Sequence, residues 1–338
     1  MLILGIETSC DETSVAIVED GRKVLSNVTS SSIELFENAG GVIPEEAARA
    51  QVEYMIPVLN TALSEANLSA MDIDAVAVTK GPGLLGSLLV GTSTARAFCS
   101  IWNKPLIGVN HTLGHLSSVW LECEDEPSYP ILTLSVSGGH TDLWLRKSHT
   151  EGILLGSTKD DAAGEAFDKG AIQLGLPYPG GPSISKTAID GDATSHKFPL
   201  PLANDKSLDF SFSGLKTSLK YLLRDLNIDT PESLTDKQLV DISASYENAI
   251  CAHLVDRLKR AVSEHDECNE IHIVGGVSAN NHLREIVNST FKDKTVRCPT
   301  KIKYCTDNGS MIAAAGYFLF REKGDLAYES FKSGKASD

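Results

Sequence analysis

Ile131-Leu132-Thr133-Leu134-Ser135-Val136, then Ser137-Gly138-Gly139-His140, then Thr141-Asp142-Leu143-Trp144-Leu145, reads as two β-rich runs joined by a polar, glycine-containing turn. The amino terminus has the same pattern, with Leu2 to Ile6 and Ser14 to Val18 flanking Glu7-Thr8-Ser9-Cys10-Asp11-Glu12-Thr13. A hairpin met twice suggests a duplicated fold. Two hairpins that arose independently are the alternative.

Outward from the first hairpin, the sequence predicts a helix from about Pro44 to Asn67, a strand at Ala75-Val76-Ala77-Val78 and a small-residue helix from about Leu84 to Trp102. Outward from the second, Thr235-Asp236-Lys237-Gln238 forms a capping box, and Leu239, Ile242, Tyr246, Ile250, Leu254 and Leu258 follow at helical spacing. The strand Ile271-His272-Ile273-Val274 breaks at Gly275-Gly276 into another helix, and a last apolar helix runs from about Ser310 to Phe320. Strands alternating with helices make an α/β protein. Gly180 to Lys216, rich in Gly, Pro and Ser, reads as loops over a cleft. At 338 residues the chain exceeds what one core usually holds, so two lobes with a ligand cleft are expected. The expected lobes are 1–128 and 129–307, with the C-terminal helix at about 308–325 packing back on the first.

Hydrophobic residues at 42% and charged residues at 22% exclude a disordered chain, and no apolar run approaches the roughly 20 residues of a membrane span. The chain opens without a basic presequence, so a soluble, untargeted protein is expected, with no membrane partner. Cys10, Cys99, Cys123, Cys251, Cys268, Cys298 and Cys305 are scattered and odd in number, which points to a reducing compartment rather than a disulfide framework. A net charge of −15 opposes unaided binding of a polyanion such as RNA, because phosphate contacts from Lys and Arg dominate such affinity. Any polyanionic substrate would need a local basic patch or a partner protein to supply the charge.

Glycine turns after strands expose backbone amides and suit phosphates or carboxylates, above all at a helix N-terminus. Ser135 to His140 and Gly275-Gly276-Val277-Ser278-Ala279-Asn280 are two such turns, and together they favour a nucleotide over a purely structural role. Gly81-Pro82-Gly83-Leu84-Leu85-Gly86 matches GxGxxG formally, but Pro82 and the missing acid about 20 residues on favour helix-to-strand packing. His111 and His115 stand four apart, so on a helix both rings share a face and could hold a metal. Thr112 stands where a zinc protease would need its glutamate. Asp307 could complete a His-His-carboxylate set suited to Fe²⁺ or Zn²⁺, or cap the last helix, or both. Asp11 and Glu12 tip the first hairpin, as cation or nucleophile contacts or as solvated turn acids. Asp161, Glu165 and Asp168 share a helical face, and Asp168 becomes a hydroxyl acceptor only if that face lines the cleft.

Over essentially its whole length the sequence resembles the TsaD/Gcp family, the tRNA N6-adenosine threonylcarbamoyltransferases. The resemblance rests on GIETSCDET at Gly5–Thr13, GGVIPEEAAR at Gly40–Arg49, GPGLLGSLLVG at Gly81–Gly91, HTLGH at His111–His115 and SVSGGHT at Ser135–Thr141. It continues through DDAAGEAFDK at Asp160–Lys169, YPGGP at Tyr178–Pro182, DFSFSGLKT at Asp209–Thr217, GGVSAN at Gly275–Asn280 and CTDNG at Cys305–Gly309. It implies a two-lobed actin/hexokinase/heat-shock-type ATPase fold with duplicated RNase H-like domains. By the family pattern His111, His115 and Asp307 bind one divalent metal, Fe²⁺ ahead of Zn²⁺. Ser135, Val136, Ser137, Gly138, Gly139, Asp168, Gly181 and Asn280 contact the adenylate.

The implied reaction transfers the threonylcarbamoyl group from L-threonylcarbamoyl-AMP to N6 of the adenosine 3′ of the anticodon, releasing AMP. Glu12 is the candidate proton acceptor or orienting acid. The resemblance also implies tRNA as partner, a separate threonylcarbamoyl-AMP synthase upstream and, for a bacterial type, a paralogous partner subunit and a small ATPase. A homodimer and binding of ATP with Mg²⁺ in the same cleft are further expectations. The compartment expected is the cytoplasm, or the mitochondrial matrix if a presequence was removed. The rival readings are a non-catalytic nucleotide-binding scaffold of the same fold, a metallopeptidase named for its HxxxH, and a sugar or acetate kinase. Missing Glu at 112 and missing secretion signals oppose the peptidase. The paired histidines oppose the scaffold.

Overall fold

The computed structural model describes residues 1–32 and 42–328, so Gly40 and Gly41 of the GGVIPEEAAR motif lie outside the described residues. Two compact units divide the chain: residues 1–126, 148–151 and 299–338 form the first, and 127–147 with 152–298 the second.

In the first unit, β1 (Leu2–Glu7), β2 (Glu12–Glu19), β3 (Lys23–Ser31), β4 (Ala75–Gly81) and β5 (Leu106–Asn110) form one sheet in the order β3-β2-β1-β4-β5. β1, β2 and β3 pair antiparallel, while β4 and β5 extend the sheet in parallel. The central strands are near-continuous apolar runs because both faces are covered. Leu4, Ile6, Val15, Ile17, Val76 and Val78 pack on α1 (Pro44–Ala66) and α2 (Leu85–Trp102) through Met55, Val58, Leu59, Ala95 and Phe98. The alternate residues meet α9 (Gly309–Lys323). A Cβ on Gly5 would fall on the Gly309 carbonyl oxygen, and one on Gly316 would lie 2.7 Å from Ala77 Cβ. Small residues in α9 therefore let a helix axis run unusually close to the strands, and this contact aims the N-terminus of α9.

In the second unit, β6 (Ile131–Val136), β7 (Thr141–Arg146), β8 (Gly152–Ser157), β9 (Glu270–Val274) and β10 (Thr295–Arg297) repeat the plan in the order β10-β9-β6-β7-β8. Three antiparallel strands are again extended by two parallel ones, so the duplication suggested by the two hairpins is present. α4 (Ala163–Gln173), α5 (Gly180–Ala188), α6 (Ser213–Asp225), α7 (Asp236–Glu264) and α8 (Asn281–Thr290) surround this sheet, with Phe167, Leu215, Tyr246, Ile250 and Leu254 in the core. The capping box opens α7 as read: Thr235 Oγ1 accepts from the Gln238 amide at 3.3 Å, and Gln238 Oε1 accepts from the Thr235 amide at 3.0 Å.

The stretch 180–216 is less irregular than its composition suggests. It holds α5 and the first turn of α6, and only 189–212 lacks α-helix. Pro182 sits in the first turn of α5, where an amide would have no intrahelical partner and its loss costs little. Asp168 Oδ1 accepts from the Gly180 amide at 2.7 Å and satisfies another open group there.

Candidate metal centre and glycine turn

α3 (His111–Ser117) begins where β5 ends, and Asn110 caps it by accepting from the Leu113 amide at 3.3 Å. One helical turn places His111 and His115 on the same face, both buried, with ring centroids 4.7 Å apart. Gly114 between them allows α3 to lie against α9, since a Cβ there would come within 2.7 Å of Ile312 Cδ1. The residue that caps α9 is Asn308, whose side chain accepts from the Met311 amide at 3.2 Å, so the expectation of Asp307 as cap is corrected. Relieved of capping, Asp307 turns its carboxylate to the histidines, with Oδ1 3.1 Å from His115 Nε2 and 3.6 Å from His111 Nε2.

These three residues could hold a metal ion, their candidate ligand atoms lying within 4.8 Å of one another. A test of fit is available in the side chains. An ion about 2.1 Å from each donor needs donors roughly 3–4 Å apart, and both histidine nitrogens meet that against Asp307. Nε2 of buried His115 makes no well-aligned hydrogen bond, its polar neighbour being the Asp307 carboxylate at 3.1 Å, so its lone pair is open to a metal held by both. Burial opposes charge on His111, and the carboxylates of Asp307 and Glu7 override it, raising its pKa to about 9. The pocket thus attracts a cation.

Glu7 was missed by the sequence reading, because it looks like the polar end of an apolar strand. It is fully buried, and its Oε2 lies 3.2 Å from His111 Nδ1. Gln51, also missed, is a buried amide on α1 that donates to the carbonyls of Cys10 at 2.9 Å and Glu12 at 3.0 Å. Ser87 Oγ donates to the same Cys10 carbonyl, and the Leu84 amide donates to the Ser9 carbonyl. The acidic turn is therefore pinned by α1 and by the start of α2. Glu12 has its pKa raised well above the usual value by burial first, then by the charges of Asp307 and Asp11.

The second hairpin turn is built differently. The Ser137 amide donates to the His140 carbonyl at 2.8 Å, and Ser137 Oγ accepts from the His140 amide at 3.1 Å. Ser135 and Val136 are buried within β6, whereas Gly138 and Gly139 are exposed and a Cβ on either would meet nothing within 4 Å. Parallel pairing sets Ser135 beside Val274, so the turn after β9 lies next to it, and Gly276 there is equally open. The start of α4 comes to the same place, its Gly164 amide donating to the Ser137 carbonyl at 3.1 Å. Adjacent turns at the carboxyl ends of parallel strands are where α/β sheets bind ligands.

Of the other expected contacts, Asp168 holds the start of α5, Gly181 lies in its first turn, and Asn280 caps α8 by accepting from the Leu283 amide at 2.8 Å. The Asn280 amide nitrogen donates to Glu247 Oε1 at 2.6 Å and to Ser185 Oγ at 2.9 Å. Glu247 and Ser185 were not singled out in the sequence, although a glutamate beside Tyr246 and Ile250 on a buried helical face was a signal.

A family model described as TsaD, tRNA N6-adenosine threonylcarbamoyltransferase, matches residues 23–314. The chain belongs to this family.

Relatives carrying the same description include one from Symbiobacterium thermophilum, 48% identical over 324 residues that cover 95% of this chain and 92% of the relative. Another, from Thermodesulfovibrio yellowstonii, is 46% identical over 330 residues and covers 96% and 97%. As a threonylcarbamoyltransferase, the protein modifies N6 of an adenosine in tRNA. Component A of the Acidaminococcus fermentans (R)-2-hydroxyglutaryl-CoA dehydratase superposes with a TM-score of 0.56 at 13% identity, over 94% of this chain and 98% of that one. HypF of T. kodakarensis gives 0.60 at 12% identity, over 97% and 49%. Likeness at that identity concerns fold alone, and the threonylcarbamoyltransferase has the actin/hexokinase/heat-shock-type architecture with two RNase H-like sheets. No helix among the described residues is long and apolar enough to cross a membrane.

Proposed function

We propose that the chain takes its acyl group from L-threonylcarbamoyl-AMP and transfers it to the adenosine 3′ of the anticodon. The N6 nitrogen attacks the carbamoyl carbon, the bond from that carbon to the phosphate oxygen breaks, the amine proton passes to an acceptor, and AMP departs. The observation that carries this reading is the open glycine turn at the strand ends of the second unit, where Gly138 and Gly139 are free of side-chain cover and their amides suit a departing phosphate. Gly276 offers a neighbouring open edge, while Asp168, Gly181 and Asn280 form a supporting wall for the adenylate.

In the first unit, His111, His115 and Asp307 would hold one divalent metal, with Fe²⁺ ahead of Zn²⁺. Such an ion supplies Lewis-acid polarisation of a carbonyl. Glu12 acts as proton acceptor or orienting acid, its proton affinity raised by burial and by the Asp307 and Asp11 charges. An exocyclic adenine nitrogen is a poor nucleophile, so rigid placement of these groups contributes heavily.

The partners proposed are a paralogous subunit and a small ATPase, with a separate synthase supplying the acyl adenylate and the cytoplasm as compartment. Support for a protein partner comes from α1 and α2, which leave Val52, Ile56, Leu85 and Leu89 between 47% and 62% exposed on one unit. Charge gives further support, since the first unit carries 12 Lys and Arg against 23 Asp and Glu, and the second 18 against 22. Neither matches a polyanion unaided.

The test is incubation with threonylcarbamoyl-AMP and unmodified tRNA, with and without partner-containing extract and chelator, followed by digestion and mass analysis for threonylcarbamoyladenosine. Product that needs the protein and is lost with chelator is expected. None under any condition, with metal shown to be loaded, would contradict the reading.

A further inference from the structure

Glu7 ends β1 with no contact to solvent, yet the reaction as proposed gives it no task. Its carboxylate is fully engaged. Oε1 accepts from the Ser9 amide at 2.5 Å, and Oε2 accepts from Thr79 Oγ1 at 2.5 Å while lying 3.2 Å from His111 Nδ1. Ser9 Oγ also stands 3.2 Å from that nitrogen, but a hydroxyl can donate or accept, whereas an ionised carboxylate only accepts. Of these two neighbours of Nδ1, Glu7 is the one whose carboxylate favours a proton on that nitrogen.

We propose that Glu7 is the positioning residue of the metal centre. It holds the proton of His111 on Nδ1 and so leaves the Nε2 lone pair facing Asp307 Oδ1, 3.6 Å away, on the side shared with His115. This role rests on the reading of His111, His115 and Asp307 as metal ligands. Metal-bound histidines usually donate their other ring N–H to such an acceptor, which fixes both tautomer and ring plane. Glu7 is itself fixed from two directions, by Thr79 on β4 and by the backbone of the turn that carries Glu12. One carboxylate thereby ties a metal ligand to the acidic turn.

Glu7→Gln keeps the size and reverses the chemistry. Its carbonyl oxygen can still accept from the Ser9 amide, but its NH₂ then faces His111 Nδ1 and requires that nitrogen to accept, which shifts the proton to Nε2. The purified full chain, its variants and a His115→Ala control are titrated with Zn²⁺ in competition with a chromophoric chelator. The position of the His111 proton is read in zinc-loaded protein by long-range ¹H–¹⁵N correlation with ¹⁵N-histidine.

The expected result for Glu7→Gln is a 10- to 100-fold loss of Zn²⁺ affinity, the size seen for outer-shell partners, together with a fall in the Nδ1–H population. Thr79→Val, which leaves the carboxylate beside His111, should keep the tautomer and lose affinity only a few fold. Should Glu7→Gln fail to fold, Glu7→Asp keeps the acceptor but shortens its reach, and must show weaker zinc binding without tautomer reversal. Zinc affinity and tautomer unchanged in Glu7→Gln, or zinc affinity unchanged in Glu7→Asp, would overturn the role of Glu7 while leaving the metal centre intact. Zinc binding by the unsubstituted chain no tighter than by His115→Ala would overturn the metal reading and this role together.

Discussion

The turn that joins β1 to β2 spans six residues between the paired Glu7 and Ser14, whereas the turn that joins β6 to β7 spans four between Val136 and Thr141. The longer one folds back into its unit. Thr8, Ser9, Asp11 and Thr13 are buried, and its carbonyls are tied by Gln51, Ser87 and the Leu84 amide. The shorter one closes on itself through Ser137 and His140 and leaves two glycines facing outward. The two sheets share strand order and direction, so the divergence lies in turn length and side-chain size. The filled turn brings Ser9 to His111 and sets Glu12 in the field of Asp307. The empty turn leaves two glycines without side-chain cover.

Substitutions can break this contrast. The largest effect is expected from Asp307→Asn, which removes the ligand charge that both histidines face. Loss of several kcal/mol of transition-state stabilisation corresponds to roughly 10²- to 10³-fold in rate, and metal analysis of the purified variant should show the ion gone as well.

Next comes Glu12→Gln, expected to slow transfer by about 10²-fold, the lower range for a lost general base. In the parent, activity should rise with pH through the raised pKa of Glu12, because the acceptor must be ionised, and the variant should lose that limb of the profile. Stability moves the other way. Folding raises the Glu12 pKa above its ordinary 4.5, so its contribution is fully present below pH 4.5 and is lost as pH rises through the folded value. In chelator near pH 8, Glu12→Gln should therefore melt no lower than the parent, which thermal denaturation can check.

A smaller pair compares the turns directly. Gly83 has φ +159°, and a Cβ there would come within 2.6 Å of the Ser9 carbonyl oxygen that helps pin the filled turn. Gly83→Ala should cost about 1–3 kcal/mol, visible as a lower Tm. A Cβ on Gly139 meets nothing within 4 Å, so Gly139→Val should hold its Tm while AMP affinity falls about tenfold, equivalent to roughly 1.4 kcal/mol. A lowered Tm in Gly139→Val would show that the second turn is packed rather than open.

Much of this was legible in the chain. Both hairpins, the capping box at Thr235 and the HxxxH pair follow from local periodicity and composition, which is why their places agree with the structure. What escaped were features decided by neighbours distant in sequence. Strands β3 and β8 lie at sheet edges and show little of the unbroken apolar run that marks a central strand. The helix α5 was hidden under Pro179-Gly180-Gly181-Pro182, whose breaking tendency is absorbed in a first turn held by Asp168. Glu7, Gln51 and Glu247 are single polar residues on apolar faces, and only their partners reveal them. The role of Asp307 turned on one position, since Asn308 takes the cap.

The most direct test of this division is calorimetric titration of AMP, with bound metal counted, in Asp307→Asn and Gly139→Val side by side. The account predicts that Asp307→Asn loses its metal but binds AMP within about threefold of the parent, and that Gly139→Val keeps one metal per chain while its AMP affinity drops about tenfold. AMP binding that disappears with the metal in Asp307→Asn and persists in Gly139→Val would contradict it.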